Sequence, residues 1–207
     1  MAKTAQRETQ ARTKETRKLL LEAAEQIFVR DGYEKAQVAE IAAAAGRTKG
    51  SVYAHFSNKE DLFLALFEER TAQHVRIMVE RMKTTRTKNE NLQSFREFYS
   101  CQASDRAWAL LTLEFKLFAM RHPGSKRRLR QAYRMTRPSD IEERFHRHFG
   151  AEAAEDKIGI DGAIAALAPI LSGLVVESQF EPVLLSESRL VLILQRIFDA
   201  LIVPERR

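Results

Sequence analysis

The stretch Thr48-Lys49-Gly50-Ser51-Val52-Tyr53-Ala54-His55-Phe56 concentrates hydrogen-bond donors and carries no carboxylate. One ammonium, three hydroxyls and one imidazole fall within nine residues. That set suits a polyanion. A lysine reaches a guanine edge or a phosphate, hydroxyls bond phosphate oxygens, and a carboxylate would repel the phosphates. Gly50 has no side chain to hold a ligand's backbone away. Gln37 opens a second short helix whose free N–H groups attract phosphate. Lys59 adds a cation, and Arg17 with Arg7, Arg12 and Lys14 can follow a charged backbone. Plainer roles stand beside these: Thr48 as a helix N-cap, His55 bonded to local backbone, Lys59 simply solvated.

Other chemistries lack their residues. No glycine-rich phosphate loop and no Ser/His/Asp array is present, so no enzyme and no cofactor is expected. His122, His146 and His148 fall on different faces or near loops, so no metal is expected. A single cysteine, Cys101, excludes a disulfide framework and a cysteine zinc module, which fits a reducing, cytoplasmic setting. The chain has 207 residues, 44% apolar and 30% charged, with a net charge of +6. Residues 1–21 carry +4, residues 121–137 carry +7, and residues 151–207 carry −4. A basic front and an acidic rear suit docking of one end on a polyanion. The 121–137 cluster reads as a solvated face or as a source of long-range attraction.

The elements that position these residues are helices. Apolar positions recur with a period of 3.6 and no alternating strand pattern appears, so the fold class is all-α, with about nine helices. Leu20, Ala23, Ala24, Ile27 and Phe28 form one stripe of a helix near 16–31, ended by Asp31-Gly32 with glycine in the left-handed conformation. The first 15 or so residues read as a flexible basic arm. Val38, Ile41, Ala42 and Ala45 mark a short second helix ended by Gly46, and Lys49–Phe56 a third with Val52 and Phe56 inward. Ser57-Asn58-Lys59-Glu60 reads as a capping box opening a helix to about 82, followed by a polar linker, 84–90. Further helices are expected near 91–104, 106–121, 124–148, 162–178 and 186–203. The chain is divided at residue 60 into an N-terminal part, 1–60, and a C-terminal part, 61–207. Gly162–Val176, an uncharged run of 15 residues, is shorter than the roughly 20 that a membrane span needs.

The run from Ile41 to Glu60, with Gly46, Thr48-Lys49-Gly50-Ser51-Val52-Tyr53 and His55-Phe56, resembles the DNA-binding head of the TetR family of bacterial repressors. The resemblance is specific over about residues 13–70. Arg47 departs from it, since the family more often has an apolar residue there. Ala39 and Ala43 offer the supporting helix few base-reading groups. The resemblance implies a third helix in the DNA major groove and DNA contacts from Arg17, Gln37, Thr48, Lys49, Gly50, Ser51, Tyr53, His55 and Lys59. It also implies a homodimer through the helices near 162–178 and 186–203, and a small-molecule effector bound in the C-terminal part.

Candidate effector contacts are Phe95, Tyr99, Trp108, Leu111, Phe115, Phe118 and Tyr133, which read equally as plain core. Glu114 is either a handle for the effector or an internally paired acid. The expected function is a ligand-responsive repressor released from a palindromic operator by an apolar or amphipathic molecule. The alternative is a helical ligand-binding or interaction protein without operator binding.

Overall fold

In the computed structural model, the described residues are 2–84, 87–103, 105–136, 143, 147 and 159–202. Among them there are helices and no strands. They are α1 (Ala2–Lys35), α2 (Val38–Ala44), α3 (Lys49–His55), α4 (Lys59–Thr84), α5 (Lys88–Ala103), α6 (Arg106–Arg121), α7 (Pro123–Thr136), α8 (Gly159–Glu177) and α9 (Glu187–Ile202). Glu143 and Arg147 are also helical and form an i,i+4 ion pair at 2.7 Å. No helix of the described residues is long and apolar enough to cross a membrane.

Several boundaries differ from the sequence expectation, each for a local reason. α1 begins at Ala2, not near Thr16. Residues 2–15 are mostly good helix formers, and the helix propagates outward from the buried stripe of Leu20, Ala24 and Phe28. Gly32 does take a positive φ, but at φ 77° and ψ 169° it lies in an extended region reserved for glycine. It kinks the chain, which resumes helical turns to Lys35. The cap of α4 is shifted by one residue from the expected box. Asn58 Oδ1 accepts from Asp61 N at 2.8 Å, and Asp61 Oδ2 accepts from Ser57 N at 3.0 Å. This leaves Glu60 for another task. α5 starts at Lys88, within the expected linker, because Thr87 and Glu90 form a full capping box at 3.2 Å in both directions.

The chain divides into two compact units, Met1–Thr71 with Glu114–Arg134, and Ala72–Leu113 with Met135–Arg207. α4 and α6 each contribute to both units. The first unit is built on aromatics. Phe63 stacks on Phe115 with centroids 4.0 Å apart, and Tyr33 meets Phe115 edge-on at 4.7 Å and Phe63 at 5.3 Å. Each such pair adds about 0.5–1.5 kcal/mol beyond area burial. Phe115 is 1% exposed, so the second half of α6 is core to this unit. In the second unit, Met78, Phe95, Phe98, Ala163, Leu167, Phe198 and Ile202 form one cluster, and Leu171, Val175 and Leu194 a second. Arg96 Nε donates to Asp199 Oδ1 at 2.7 Å between α5 and α9.

Candidate nucleic-acid interface

α3 is a seven-residue helix held by one face. Val52 and Phe56 are buried at 1% and 5% exposure, which turns Lys49, Gly50, Tyr53 and Ala54 to solvent and leaves Ser51 and His55 half-buried. Thr48 is the N-cap: its Oγ1 accepts from Ser51 N at 3.2 Å. Its hydroxyl therefore serves the helix first. The Lys49 ammonium lies 5.9 Å from the Tyr53 ring centroid, so these two side chains share a patch. Arg17 lies with its guanidinium 5.4 Å from the Phe56 ring centroid, which brings α1 to the end of α3. Gly46, at φ +62°, makes the turn between α2 and α3. Gln37 is the N-cap of α2, and its side chain makes no capping bond.

Gly50 is exposed, and a Cβ built there would meet nothing nearer than Thr48 Oγ1 at 3.7 Å. The fold of the chain does not demand glycine at this position.

The carboxylates nearest α3 are occupied. Glu40 takes a guanidinium nitrogen of Arg30 at 3.2 Å. Glu60 accepts from Ser125 Oγ at 2.7 Å and from Arg128 at 3.0 Å, and Arg128 also bridges to Asp61. The two acids that follow α3 are thus neutralised from α7. This network had a signal in the sequence only as an acid pair at the start of one helix and an excess of arginine in another.

Lys59 has a different placement from that of a free DNA-facing cation. Its Nζ donates to Glu34 O at 2.8 Å and to Ala36 O at 3.2 Å, and lies 4.9 Å from the Tyr33 ring centroid. Burial lowers its pKa, while the carboxylates of Glu34 and Glu114 oppose that shift. Two of the three N–H donors of the ammonium are held by backbone carbonyls at the corner between α1 and α2, which leaves one for the expected phosphate contact.

Arg127, Arg130, Gln131 and Arg134 line a recess of about 300 Å³ along α7. The three arginines have no carboxylate partner among the described residues, unlike Arg128.

The expected effector contacts are divided between the units. Phe95, at 7% exposure, packs on Phe198, Leu111 is buried and Trp108 is half-buried in the first part of α6. Tyr99 lies in α5, and its side chain is outside the described residues. Phe115, Phe118 and Tyr133 belong to the first unit, where Phe118 packs on Tyr33 and Tyr133 on Phe67. Glu114 pairs with neither an arginine nor His74 in any bond of the first unit. Its Oε1 accepts from Glu34 N at 3.3 Å. These four take part in the packing of the first unit. Among the described residues no group of three or more His, Cys, Asp or Glu could hold a metal ion.

A short helix carrying donors and no acid, set on a second short helix by a glycine turn, defines a helix-turn-helix nucleic-acid-binding head. Residues 20–66 match the family model described as bacterial regulatory proteins, tetR family. That match covers the helix-turn-helix head, from α1 into α4, and shows what this part of the chain is similar to. The chain is 34% identical over 94 residues to the fatty acid metabolism regulator protein of Bacillus subtilis, covering 45% of this chain and 48% of that protein. It is 43% identical over 60 residues to the transcriptional repressor BepR of Brucella suis, covering 29% of each. The matched segment therefore spans about half or less of these curated relatives. The fold extends further than the sequence likeness. The structure of the regulator FadR from Bacillus subtilis in complex with stearoyl-CoA superposes with a TM-score of 0.64 at 21% identity, covering 89% of this chain and 97% of that one. Of these relatives, one is a regulator of fatty acid metabolism and one a transcriptional repressor.

Proposed function

We propose that this chain is a ligand-responsive transcriptional regulator that binds a near-palindromic operator as a homodimer and represses until a small amphipathic molecule releases it. The observation that carries this reading is α3, whose solvent face offers donors and no acid while its flanking carboxylates are paired elsewhere. Lys49 is assigned to a base edge, Ser51, Tyr53 and His55 to phosphates, and Arg17, Thr48, Gln37 and Gly50 to the positions where a backbone approaches. The relatives support repression, since one is a repressor and another a regulator of fatty acid metabolism.

The effector class has weaker roots in the chain and is drawn from two sources. A structural relative was solved with stearoyl-CoA, an apolar chain on a polar head. In this chain Thr112 Oγ1, one turn beyond Trp108, is buried with no hydrogen-bond partner. An unmet hydroxyl among apolar residues is a place where a polar group of a ligand gains about 1–3 kcal/mol.

The test is selection of bound sequences from random DNA by the full-length chain, followed by gel shift. The expected product is a pair of inverted half-sites about one helical turn apart, or a multiple of it. Lys49→Ala should cost about 1–3 kcal/mol on that operator and relax one position per half-site. Stearoyl-CoA should lower operator affinity and change Trp108 emission. Failure to enrich any sequence would leave a helical ligand-binding protein and sink the regulator reading.

A further inference from the structure

The corner between α1 and α2 is clasped from two helices, and no DNA-facing role accounts for it. Gly32 sits at φ 77°, and a Cβ there would lie 2.6 Å from Glu114 Oε2 and 2.8 Å from Oε1. The carboxylate of α6 therefore rests directly on the Gly32 backbone. Glu114 Oε1 also accepts from Glu34 N at 3.3 Å. From the other side, Lys59 of α4 donates to Glu34 O at 2.8 Å and Ala36 O at 3.2 Å. Residues 34–36 are thus tied to both helices, two residues before α2 begins at Val38. The carboxylates of Glu34 and Glu114 favour the charged form of Lys59 against its burial.

The clasp needs each part. Any side chain at residue 32 would strike Glu114 and would also be strained at that φ. A shorter side chain at 114 would not reach Glu34 N. The direction in which α2 leaves the corner sets where α3 presents Lys49 and Tyr53. Glu114 lies on α6 one turn after Leu110 and Leu111, so the helix that holds the corner continues without a break from the one that carries Trp108.

We propose that Glu114 is a positioning residue: seated on Gly32 and bonded to Glu34 N, it fixes the α1–α2 corner and hence the pose of the recognition helix. The inference rests on the DNA-binding reading above and adds the point at which α6 bears on that head. Sequence-selective contacts depend on pose to within a fraction of an ångström, whereas phosphate attraction does not.

The experiment measures affinity of full-length wild type, Glu114→Gln and Glu114→Ala for the selected operator and for random DNA of equal length. Protein concentrations are corrected for the active fraction by stoichiometric titration. Glu114→Ala should reduce the operator-to-random ratio about tenfold, the scale of one lost charged hydrogen bond. Glu114→Gln keeps an acceptor for Glu34 N but loses the carboxylate charge, and should reduce the ratio about threefold. A loss of stability alone would lower both affinities together and leave the ratio unchanged. A Gln variant with the wild-type ratio overturns the proposal, whether or not the Ala variant folds, and so does an equal loss on both DNAs. If the wild type itself selects no sequence, the regulator reading has failed and the inference falls with it.

Discussion

At the scale of single residues, the informative positions are those where the protein's own fold leaves a choice unexplained. Gly50 is the clearest. It lies in the first turn of α3 with free space around it, and alanine is a better helix former by up to about 1 kcal/mol. Gly50→Ala should therefore hold or raise the unfolding midpoint while lowering operator affinity at least tenfold, because the new methyl stands between helix and DNA backbone. Calorimetry and gel shift on one preparation check both halves. Tyr33 makes the opposite case, a residue explained by its own fold. It is 3% exposed among Phe28, Phe63, Phe115 and Phe118, and burial pushes its hydroxyl well above the ordinary tyrosine range, with Glu60 adding to the shift. Its neutral form is thus favoured in the folded state. That stability is fully present below about pH 10, where the unfolded phenol ionises, and is lost as pH rises further. Tyr33→Phe should gain on wild type between pH 9 and 11 by up to about 1.4 kcal/mol per pH unit. Denaturant titrations of both proteins across that range decide it.

At the scale of elements, α1 does two jobs along its length. From Leu20 to Phe28 it buries one face in the first unit, and Arg70 of α4 ties to Glu25. From residue 9 to residue 15 every side chain is exposed, so that turn has no packed face. Its helical form adds little to stability by itself, since short unpacked helix is marginal in water. Deleting residues 1–14 should shift the thermal midpoint by no more than about 2 °C. The deletion removes four cations and one acid, and the salt dependence of DNA binding should flatten by roughly one to two counterions per subunit. An unchanged slope would show that the extension does not follow the DNA. α7 also has two faces. Ser125 and Arg128 neutralise the acids at the start of α4, while Arg127, Arg130 and Arg134 remain open.

At the scale of the whole molecule, α8 presents a face that a lone chain leaves uncovered. Ala163, Leu167, Leu171 and Val175 are buried in the second unit, while Ala165, Ala168, Pro169 and Gly173 are exposed. No charged residue occurs between positions 162 and 176. Small exposed residues without charge permit close approach of a second helix, which supports the proposed two-fold dimer through α8 and α9. A Cβ at Gly173 would meet nothing within 4 Å in the single chain. Gly173→Arg should therefore keep the monomer fold, give about 24 kDa by light scattering at micromolar concentration, and lose operator affinity, against about 48 kDa for wild type. A monomeric wild type at that concentration would remove the dimer from the account.

Periodicity by itself determined the all-α class, the short paired helices and the inward faces of Leu20, Val52 and Phe56, because burial of a stripe imposes a spacing on the chain. Local chemistry determined Thr48 as a cap and Gly46 as a turn. What only the tertiary structure decided was how polar groups are paired. From its neighbours in sequence Glu60 reads as part of a capping box, Lys59 as a solvated or phosphate-facing cation, and Glu114 as an effector handle or an internally paired acid. Their partners lie 23 to 80 residues away, as with Lys59 and Ala36 or Glu114 and Glu34. The same holds for Phe115, which belongs by spacing to an apolar helix and by packing to the first unit. Helical periodicity records that a face is buried, but which element buries it depends on contacts between distant segments, and those form only when the chain has folded.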